Sequence, residues 1–458
     1  MSQLTLISPI DGAVLAVRET LNQAAAIAAA ARARSAQHAW AARPLDERIA
    51  LVRKAVEIIG QQTDRMTHEL ALQMGRPVRY GGEFRGFSER ADYMCGIAPD
   101  ALKPLVIEDS ATALRQITRE PLGVVLVIAP WNYPYMTAIN TIAPALVAGN
   151  SVLLKHSEQT FLVGEHLAEA FLAAGIPADV FAHIFLDHDT TAQLISGRHV
   201  NFVNFTGSVR GGKAIETAAA GTFISVATEL GGKDPAYVRA DANLDAAVEG
   251  VMDGAMFNAG QCCCGIERIY VHESLFEAFV EKAVAWVNGL RLGNPLNAET
   301  TIGPMANIRF ARLVREHIAD AVAHGAIAHI SPSPADDGAT YVTPQILTNV
   351  THDMRVMREE TFGPVVGIMP VKDDEQAIEL MNDSDFGLTA SIWTQDSAAA
   401  QAIGARLETG TVFMNRCDYL DPALCWTGCK DTGHGAGLSV LGYQALTRPK
   451  SYHLKKKA

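Results

Sequence analysis

Several features that mark particular classes of protein are scarce or missing in this 458-residue sequence. Its seven cysteines, three of them contiguous, make a poor disulfide framework, which indicates reducing surroundings and free thiols. No apolar run approaches the roughly 20 residues that cross a bilayer. The first residues lack the basic and apolar regions of a secretory signal, so we expect a cytoplasmic protein without membrane association.

An excess of positive charge is also missing, because 38 basic and 50 acidic residues give a formal net charge of −12. Such a surface repels a phosphate backbone, which makes nucleic acid a poor partner. The lysines at 455–457 receive no function, since a short basic end is typical of a solvated terminus. The length and the 48% hydrophobic content predict two or three domains with sizeable cores.

The run of Cys262, Cys263 and Cys264 is the most informative segment that is present. Adjacent side chains are expected to diverge, so the triplet does not predict a shared metal ion, and no metal site is expected. The three residues could be small buried groups, or one of them could be a nucleophilic thiolate. The triplet alone does not decide between these two interpretations.

Alternating strand-like and helix-like segments predict an α/β protein with parallel sheets. The strand-like runs are 123–129, 151–154 and 201–205, and a helix over 243–257 leads into the triplet. In open sheets of this kind, ligands bind at the loops that follow the carboxyl ends of the strands. The turn at 130–134 is therefore a candidate part of the site.

Four further segments carry distinctive motifs: Pro130–Pro134, Phe205–Gly212, Glu229–Lys233 and Glu359–Pro364. Together with the triplet, and in this order, they resemble the aldehyde dehydrogenase superfamily. The resemblance extends from Ser8 to Lys450. It implies an NAD-dependent oxidoreductase that converts an aldehyde to a carboxylic acid through a thiohemiacetal and a thioester.

The resemblance also implies a Rossmann-like cofactor domain, an α/β catalytic domain and a small β extension for oligomerisation. The expected NAD-binding domain comprises residues 1–99 and 122–231, the catalytic domain residues 232–440, and the extension residues 100–121 and 441–458. The strands of the extension would join a neighbouring subunit. We therefore expect a homodimer or a homotetramer.

Aldehyde oxidation needs a nucleophile, because a hydride leaves readily only from a tetrahedral carbon. By resemblance the nucleophile is Cys263, and Cys262 and Cys264 are packing residues. The side-chain amide of Asn132, with the backbone N–H of Cys263, would stabilise the oxyanion. Glu229 would activate the water that hydrolyses the thioester. Relatives that transfer the acyl group to coenzyme A commonly lack this glutamate, so its presence favours release of a free acid.

The usual Gly-x-Gly-x-x-Gly fingerprint is absent, and the pyrophosphate is instead expected at a Gly-Ser-x-x-x-Gly segment, at a helix N-terminus. A carboxylate beside the adenosine ribose, that of Glu158, would repel a 2′-phosphate, so NAD is expected in preference to NADP. Glu360 would bond the nicotinamide ribose, with Phe362 alongside. The expected cofactor-binding residues are Trp131, Lys155, Glu158, Gly207, Ser208, Gly212, Glu360 and Phe362.

Aromatic residues expected around the substrate are Tyr133, Tyr419 and Trp426. With Asp418 and Asp421 they predict a tunnel that favours an aromatic aldehyde or a cationic amino-aldehyde. Arg416 predicts the opposite, a clamp for the carboxylate of a semialdehyde.

Three features of the sequence depart from the superfamily pattern or invite another interpretation. Thr141 stands where many members carry Lys or Arg, which leaves proton handling open. Cys425 and Cys429 near His434 invite a metal site, but Pro422 and nearby glycines make ligand spacing on a helix improbable. The alternative functions are a semialdehyde-specific or coenzyme-A-acylating enzyme and a catalytically silent homologue.

Overall fold

A computed structural model describes residues 2–456 of the chain. Residues 1, 457 and 458 lie outside the described residues. They are the first residue of the expected NAD-binding domain and the last two of the expected extension, and they include the last lysine of the basic tail. Within them, no helix is long and apolar enough to cross a membrane.

The helices of the described chain lie mostly between successive strands, as an α/β protein requires. They are α1 (Gln23–Ala41), α2 (Leu45–Gly60), α3 (Thr63–Met74), α4 (Phe84–Ala101), α5 (Pro134–Val147), α6 (Phe161–Ala174), α7 (His188–Ser196), α8 (Val209–Ala219), α9 (Leu244–Met256), α10 (Phe276–Asn288), α11 (Ile308–Ala323), α12 (Arg355–Arg358), α13 (Asp374–Asn382), α14 (Ser397–Gly404) and α15 (Ser439–Ala445).

The strands are β1 (Gln3–Ile7), β2 (Val14–Glu19), β3 (Leu105–Asp109), β4 (Ala113–Pro121), β5 (Val124–Ile128), β6 (Ser151–Lys155), β7 (Phe181–His183), β8 (Phe202–Thr206), β9 (Ser225–Glu229), β10 (Asp234–Val238), β11 (Ile266–His272), β12 (Ile327–Ala328), β13 (Gln345–Thr348), β14 (Val365–Val371), β15 (Phe386–Gly387), β16 (Thr389–Trp393), β17 (Thr411–Met414), β18 (Cys429–Lys430) and β19 (Thr447–Lys455).

A five-stranded parallel sheet with the order β7-β6-β5-β8-β9 forms the Rossmann-like part of the chain. All five residues of the central strand β5 are buried, which explains the continuous apolar run in the sequence. The predicted strands at 123–129, 151–154 and 201–205 correspond to β5, β6 and β8. The predicted α/β class with parallel sheets is confirmed.

A seven-stranded sheet with the order β12-β13-β14-β11-β10-β16-β17 follows in the chain. Its strands pair in parallel except for β12, which is antiparallel to β13. Helix α9, close to the predicted bounds, is capped by the side chain of Asn243, which accepts a hydrogen bond from the Ala246 N–H at 3.2 Å. The helix ends at Met256, six residues before the cysteine triplet.

Strands β3, β4 and β19 form a separate antiparallel sheet from the two segments that the sequence assigns to the extension. Strand β19 pairs with β4 over its whole length, from Thr447 opposite Pro121 to Lys455 opposite Ala113. The edge strand β3 exposes the apolar residues at 105–107. Pairing of this sheet with another subunit stays a prediction, as do the domain boundaries.

Candidate active site

A cavity of about 1070 Å³ lies where the carboxyl ends of β5, β8 and β9 approach the loop that carries the cysteine triplet. It brings together all but one of the residues that the sequence assigns to the site. These are Trp131, Asn132, Tyr133, Lys155, Glu158, Gly207, Ser208, Glu229, Cys263, Glu360, Phe362, Tyr419 and Trp426.

Gly212 does not line the cavity but lies buried within α8. A Cβ atom at this position would come within 2.6 Å of Leu230 Cδ2, so the glycine lets α8 pack closely on the chain that follows β9. Its expected place among the cofactor contacts is therefore wrong, and its role is close packing.

The loop between α9 and the cysteine triplet has an unusual backbone conformation. Asn258 and Ala259 adopt φ angles of 55° and 56°, in the left-handed region that non-glycine residues rarely occupy. Two hydrogen bonds of Gln261 hold the loop: Nε2 donates to Asn258 O at 3.0 Å, and Oε1 accepts from the Ala306 N–H at 2.8 Å. The position of the triplet is thus fixed by contacts with distant parts of the chain.

The three sulfur atoms of the triplet lie within 4.8 Å of one another, and the Cys262 and Cys264 Sγ atoms are 3.6 Å apart. The expectation that adjacent side chains diverge is therefore wrong here, because the residues form a turn rather than an extended strand. Cys262 and Cys264 are buried, as their expected packing role requires, and Cys263 is half-buried at the cavity.

Asp418 is half-buried beside the triplet and lines the same cavity. Its Oδ1 atom accepts hydrogen bonds from Cys262 Sγ at 3.1 Å and from Cys264 Sγ at 2.9 Å. Desolvation raises the pKa of Asp418 well above its ordinary value, which favours the neutral form of the carboxyl group. The shift disfavours the negative charge that the sequence assigns to Asp418, and that charge stays a prediction.

The thiol of Cys263 differs electrostatically from its two neighbours. The pKa of Cys263 is lowered, first by its contact with Cys262 and then by its contact with Cys264. The pKa of Cys262 is raised, first by its contact with Cys263, and that of Cys264 is raised by its contacts with Cys262 and Cys263. Of the three, Cys263 is the residue best suited to be a nucleophile.

The side chain of Asn132 lines the cavity beside the triplet and is only 5% exposed. Within the described chain its amide group has no hydrogen-bond partner, whereas its backbone carbonyl accepts from Arg76 Nη2 at 2.5 Å. Arg76 also donates to Glu83 Oε1 at 2.6 Å and to Asn258 Oδ1 at 3.2 Å. The backbone is thus held while the amide remains available to a ligand.

Arg76 and Glu83 are residues that sequence reasoning missed. They link the Asn132 turn to the loop before the triplet through Asn258. Glu83 Oε2 also accepts from the N–H groups of Tyr135 and Met136, at the start of α5. Neither residue belongs to one of the motifs, and no local pattern in the sequence signals this buried ion pair.

Glu229 ends strand β9 and lines the same cavity. Burial raises the pKa of its carboxyl group to about 7, although the charge of Arg90 acts in the opposite direction. A carboxyl group of this kind can accept a proton near neutral pH.

On the other side of the cavity, polar groups suited to a dinucleotide lie at the strand ends. Ser208 caps α8 by accepting from the Gly211 N–H at 3.2 Å, which places a helix N-terminus at the cavity. Lys155, whose pKa burial lowers, is the last residue of β6. Glu158 is exposed in the next turn and can accept hydrogen bonds from ribose hydroxyls.

Glu360 reaches the cavity between two glycines. Gly231 leaves room for it, since a Cβ atom there would lie 2.3 Å from Glu360 Oε2, and the Gly232 N–H donates to Glu360 Oε1 at 3.1 Å. Burial raises the pKa of Glu360 to about 8. The ring of Phe362 packs edge-on against Trp131, with centroids 5.5 Å apart.

A buried ion pair supports the loop that carries Glu360 and Phe362. Lys233 Nζ donates to Glu267 Oε2, and Glu267 accepts from the N–H groups of Thr361 at 2.8 Å and Phe362 at 2.9 Å. Lys233 and Glu267 are both almost completely enclosed. Their contacts fix the backbone on which the two cavity residues stand.

The predicted substrate residues Tyr133, Tyr419 and Trp426 all line the cavity, whereas Arg416 does not. The Arg416 guanidinium is exposed and lies over the Tyr419 ring, 4.0 Å from its centroid. The Tyr419 hydroxyl donates to Glu89 Oε1 at 2.7 Å. The expected clamp at Arg416 is therefore wrong, because its guanidinium lies outside the cavity.

Cys425 and Cys429, in the loop where the sequence suggests a metal site, do not line the cavity. Cys429 Sγ donates to Glu408 O at 3.0 Å, whereas His434 Nε2 bonds Glu216 Oε1 at 2.7 Å, so these two side chains do not share a ligand. Thr141 is buried within α5 and does not line the cavity.

Comparison with known proteins gives one consistent result. The model of the aldehyde dehydrogenase family matches residues 2–452. The NAD(P)+ succinate semialdehyde dehydrogenase Sad of Escherichia coli K12 is 34% identical over 406 residues, 88% of this chain and 87% of the relative. The NADP(+) succinate-semialdehyde dehydrogenase of Deinococcus radiodurans is 33% identical over 448 residues, 97% and 93% of the two chains.

Among solved structures, the NAD-dependent aldehyde dehydrogenase from Sinorhizobium meliloti superposes with a TM-score of 0.93. It is 32% identical, and the match covers 100% of this chain and 92% of that one. The sequence comparisons and the structural comparison therefore both find aldehyde dehydrogenases.

Proposed function

This chain belongs to the aldehyde dehydrogenase family, and on that basis we propose that it oxidises an aldehyde to a free carboxylic acid with NAD. The observation that carries the proposal is the convergence of three groups on one cavity. These are the half-buried thiol of Cys263, the unpartnered amide of Asn132 and the carboxyl group of Glu229, whose pKa is about 7.

In the proposed reaction the Cys263 thiolate adds to the aldehyde carbon and forms a thiohemiacetal. The Asn132 amide, with the Cys263 backbone N–H, donates hydrogen bonds to the oxyanion; one such donor is typically worth about 3–4 kcal/mol of barrier. Loss of hydride leaves a thioester on Cys263. Glu229 then takes a proton from water, and the resulting hydroxide releases the acid and frees the thiolate.

The residues on the opposite side of the cavity fit a nicotinamide dinucleotide. Ser208 and the N-terminus of α8 would hold the pyrophosphate, and Lys155 and Glu158 the adenosine ribose. Glu360 would hold the nicotinamide ribose, in the space that Gly231 leaves open. When bound, the cofactor supplies the hydride acceptor.

Two arguments separate this proposal from its alternatives. A carboxyl group with a pKa near 7 in the cavity favours hydrolysis by water over transfer of the acyl group to coenzyme A. A silent homologue would have no need for an available amide, a favoured thiolate and a proton acceptor in one cavity.

The test combines the purified chain with NAD and a panel of aldehydes, with and without coenzyme A. We expect NADH and free acid in equal amounts, with no thioester product when coenzyme A is added. Formation of acyl-coenzyme A would identify the acylating alternative, and the absence of NADH with every aldehyde would identify a silent homologue.

The cofactor preference depends on Glu158, because a carboxylate repels the 2′-phosphate of NADP. The named relatives use NAD(P)+, NADP(+) or NAD, so their names do not decide the preference. We expect kcat/KM to be higher with NAD than with NADP. Glu158→Gln should raise kcat/KM for NADP about tenfold by removing one repulsive charge.

The control for this variant is kcat/KM with NAD, which should change by less than about threefold, since glutamine still bonds a ribose hydroxyl. Higher kcat/KM with NADP in the wild type, or no gain for NADP in the variant, would contradict the role given to Glu158.

A further inference from the structure

Arg90 is a buried cation that uses only part of its hydrogen-bonding capacity. It lies on α4, is 8% exposed and lines the cavity that contains Cys263 and Glu229. Its Nη1 atom donates to Met136 O at 3.0 Å and to Asn140 Oδ1 at 3.4 Å. Within residues 2–456, Nε and Nη2 have no partner, and no carboxylate lies within 4.0 Å of the guanidinium.

This pattern differs from that of two other buried arginines. In Arg76 and in Arg268 all three guanidinium nitrogens donate hydrogen bonds to protein atoms. Buried polar groups are normally satisfied, and buried charges are normally paired. In the described chain, the free nitrogens of Arg90 are not among the fully enclosed polar atoms without partners, so they keep access to the cavity.

Arg90 is also close enough to the reacting groups to interact with them electrostatically. Burial lowers the pKa of Arg90 overall, whereas negative charge on Glu83, and then on Cys264, Glu229 or Cys263, raises it. An arginine nevertheless remains protonated in proteins. The substrate side of the cavity therefore carries a permanent positive charge.

No acidic group of residues 2–456 forms an ion pair with Arg90, although Glu83 and Glu229 are near enough to raise its pKa. Asp418 lines the same cavity, but desolvation raises its pKa well above the ordinary value, which favours its neutral form. Glu89 is exposed and accepts a hydrogen bond from the Tyr419 hydroxyl. Glu83 is bonded to Arg76.

We propose that Arg90 binds a carboxylate at the end of the substrate remote from the aldehyde, so that the preferred substrate is a short aldehyde acid. This inference rests on the proposed function, because it assumes that an aldehyde reacts at Cys263. It replaces the preference for a cationic amino-aldehyde that the sequence suggests.

The two free nitrogens of Arg90 are suited to a carboxylate. Nε and Nη2 share one edge of the guanidinium group and can hold both oxygens of a carboxylate. Arg18 shows this arrangement in the same chain, since its Nε and Nη2 atoms bind the two carboxylate oxygens of Glu165 at 2.6 and 3.0 Å. Tyr133, Met136 and Trp426 provide apolar surface for the carbon chain between the two ends of the substrate.

Three aldehydes of equal chain length test the charge preference: 4-oxobutanoate, butanal and 4-aminobutanal. We expect the wild-type kcat/KM to be highest for 4-oxobutanoate. Arg90→Met should lower kcat/KM for 4-oxobutanoate about 10- to 100-fold, the value of a hydrogen-bonded charge pair, and that for butanal by less than about threefold. Arg90→Lys should restore part of the preference.

Arg416→Met is the matched control, because Arg416 is exposed and lies outside the cavity. It should keep the wild-type order of substrates. If the wild type preferred butanal or 4-aminobutanal, the carboxylate role would be overturned while the proposed function would stand. If none of the three aldehydes gave NADH, the proposed function itself would fail.

A second role for Arg90, that of setting the pKa of Glu229, gives a different result. Because the charge of Arg90 lowers the pKa of Glu229, an upward shift of the pH profile of kcat is expected in Arg90→Met in either case. An equal loss of kcat/KM for all three aldehydes, measured above the shifted pKa, would contradict the inference. Inhibition by product-like acids provides a measurement on the unmodified protein. Butanoate should compete with the aldehyde at least about tenfold better than butanamide, and equal inhibition by the two would also overturn the inference.

Discussion

Cys263→Ala is expected to abolish aldehyde oxidation, with kcat at least about 10⁴-fold below that of the wild type. Without the sulfur no thiohemiacetal forms, and the hydride has no tetrahedral carbon from which to leave. The measurement is NADH formation in both the steady state and a single turnover. No burst of NADH is expected in the variant.

The neighbouring cysteines provide the comparison for this prediction. Cys262→Ala and Cys264→Ala should retain activity within about tenfold of the wild type, because their thiols only favour the thiolate at Cys263. Cys95→Ala, a change in the core of α4 and remote from the cavity, controls for the loss of any buried thiol. If Cys262→Ala lost all activity while Cys263→Ala remained active, the nucleophile would be Cys262 and the assignment to Cys263 would be wrong.

Glu229→Gln is expected to separate the two halves of the reaction. Attack and loss of hydride do not need the carboxylate, so one NADH per site should form rapidly. Hydrolysis of the thioester should slow about 10²- to 10⁴-fold, the usual contribution of a general base. Stopped-flow detection of NADH, with mass spectrometry of the trapped acyl-enzyme, measures the two steps.

The pH dependence of this step follows from the pKa of about 7 at Glu229. The base works only when deprotonated, so kcat in the wild type should fall as the pH is lowered through about 7. The residual kcat of Glu229→Gln should lack this dependence. Glu216→Gln, at a half-exposed carboxylate on α8 outside the cavity, should behave as the wild type. If Glu229→Gln turned over at the wild-type rate, Glu229 would not be the general base for hydrolysis of the thioester.

Much of the fold follows from local patterns that can be recognised along the chain. The apolar run that became β5 is buried on every side, and such a run has few alternatives to a central parallel strand. The residues assigned by motif, such as Asn132 and Glu360, line one cavity because each stands at a strand end or in an adjoining loop. The position of these residues at strand ends can therefore be predicted from short motifs, without information about contacts between distant parts of the chain.

The errors concern residues whose environment comes from distant parts of the chain. The sulfur atoms of the triplet converge because the loop is held by Gln261 and by the strained residues before it. Asp418 is 154 residues from Cys264 in sequence, so its hydrogen bonds to the triplet cannot be recognised from the local sequence. Arg90 is a similar case. It belongs to no motif, and its place in the cavity is visible only once α4 is packed against the rest of the chain.

The pairing of β19 with β4 has a consequence for biosynthesis. Thr118 and Lys450, which face each other in this sheet, are separated by 332 residues. During translation, β4 is synthesised long before its partner β19. Until β19 emerges, the edge of β4 that binds it stays unpaired, and the apolar residues of β3 lie exposed beside it. A ribosome that stops short of the last strand would release a chain prone to edge-to-edge aggregation.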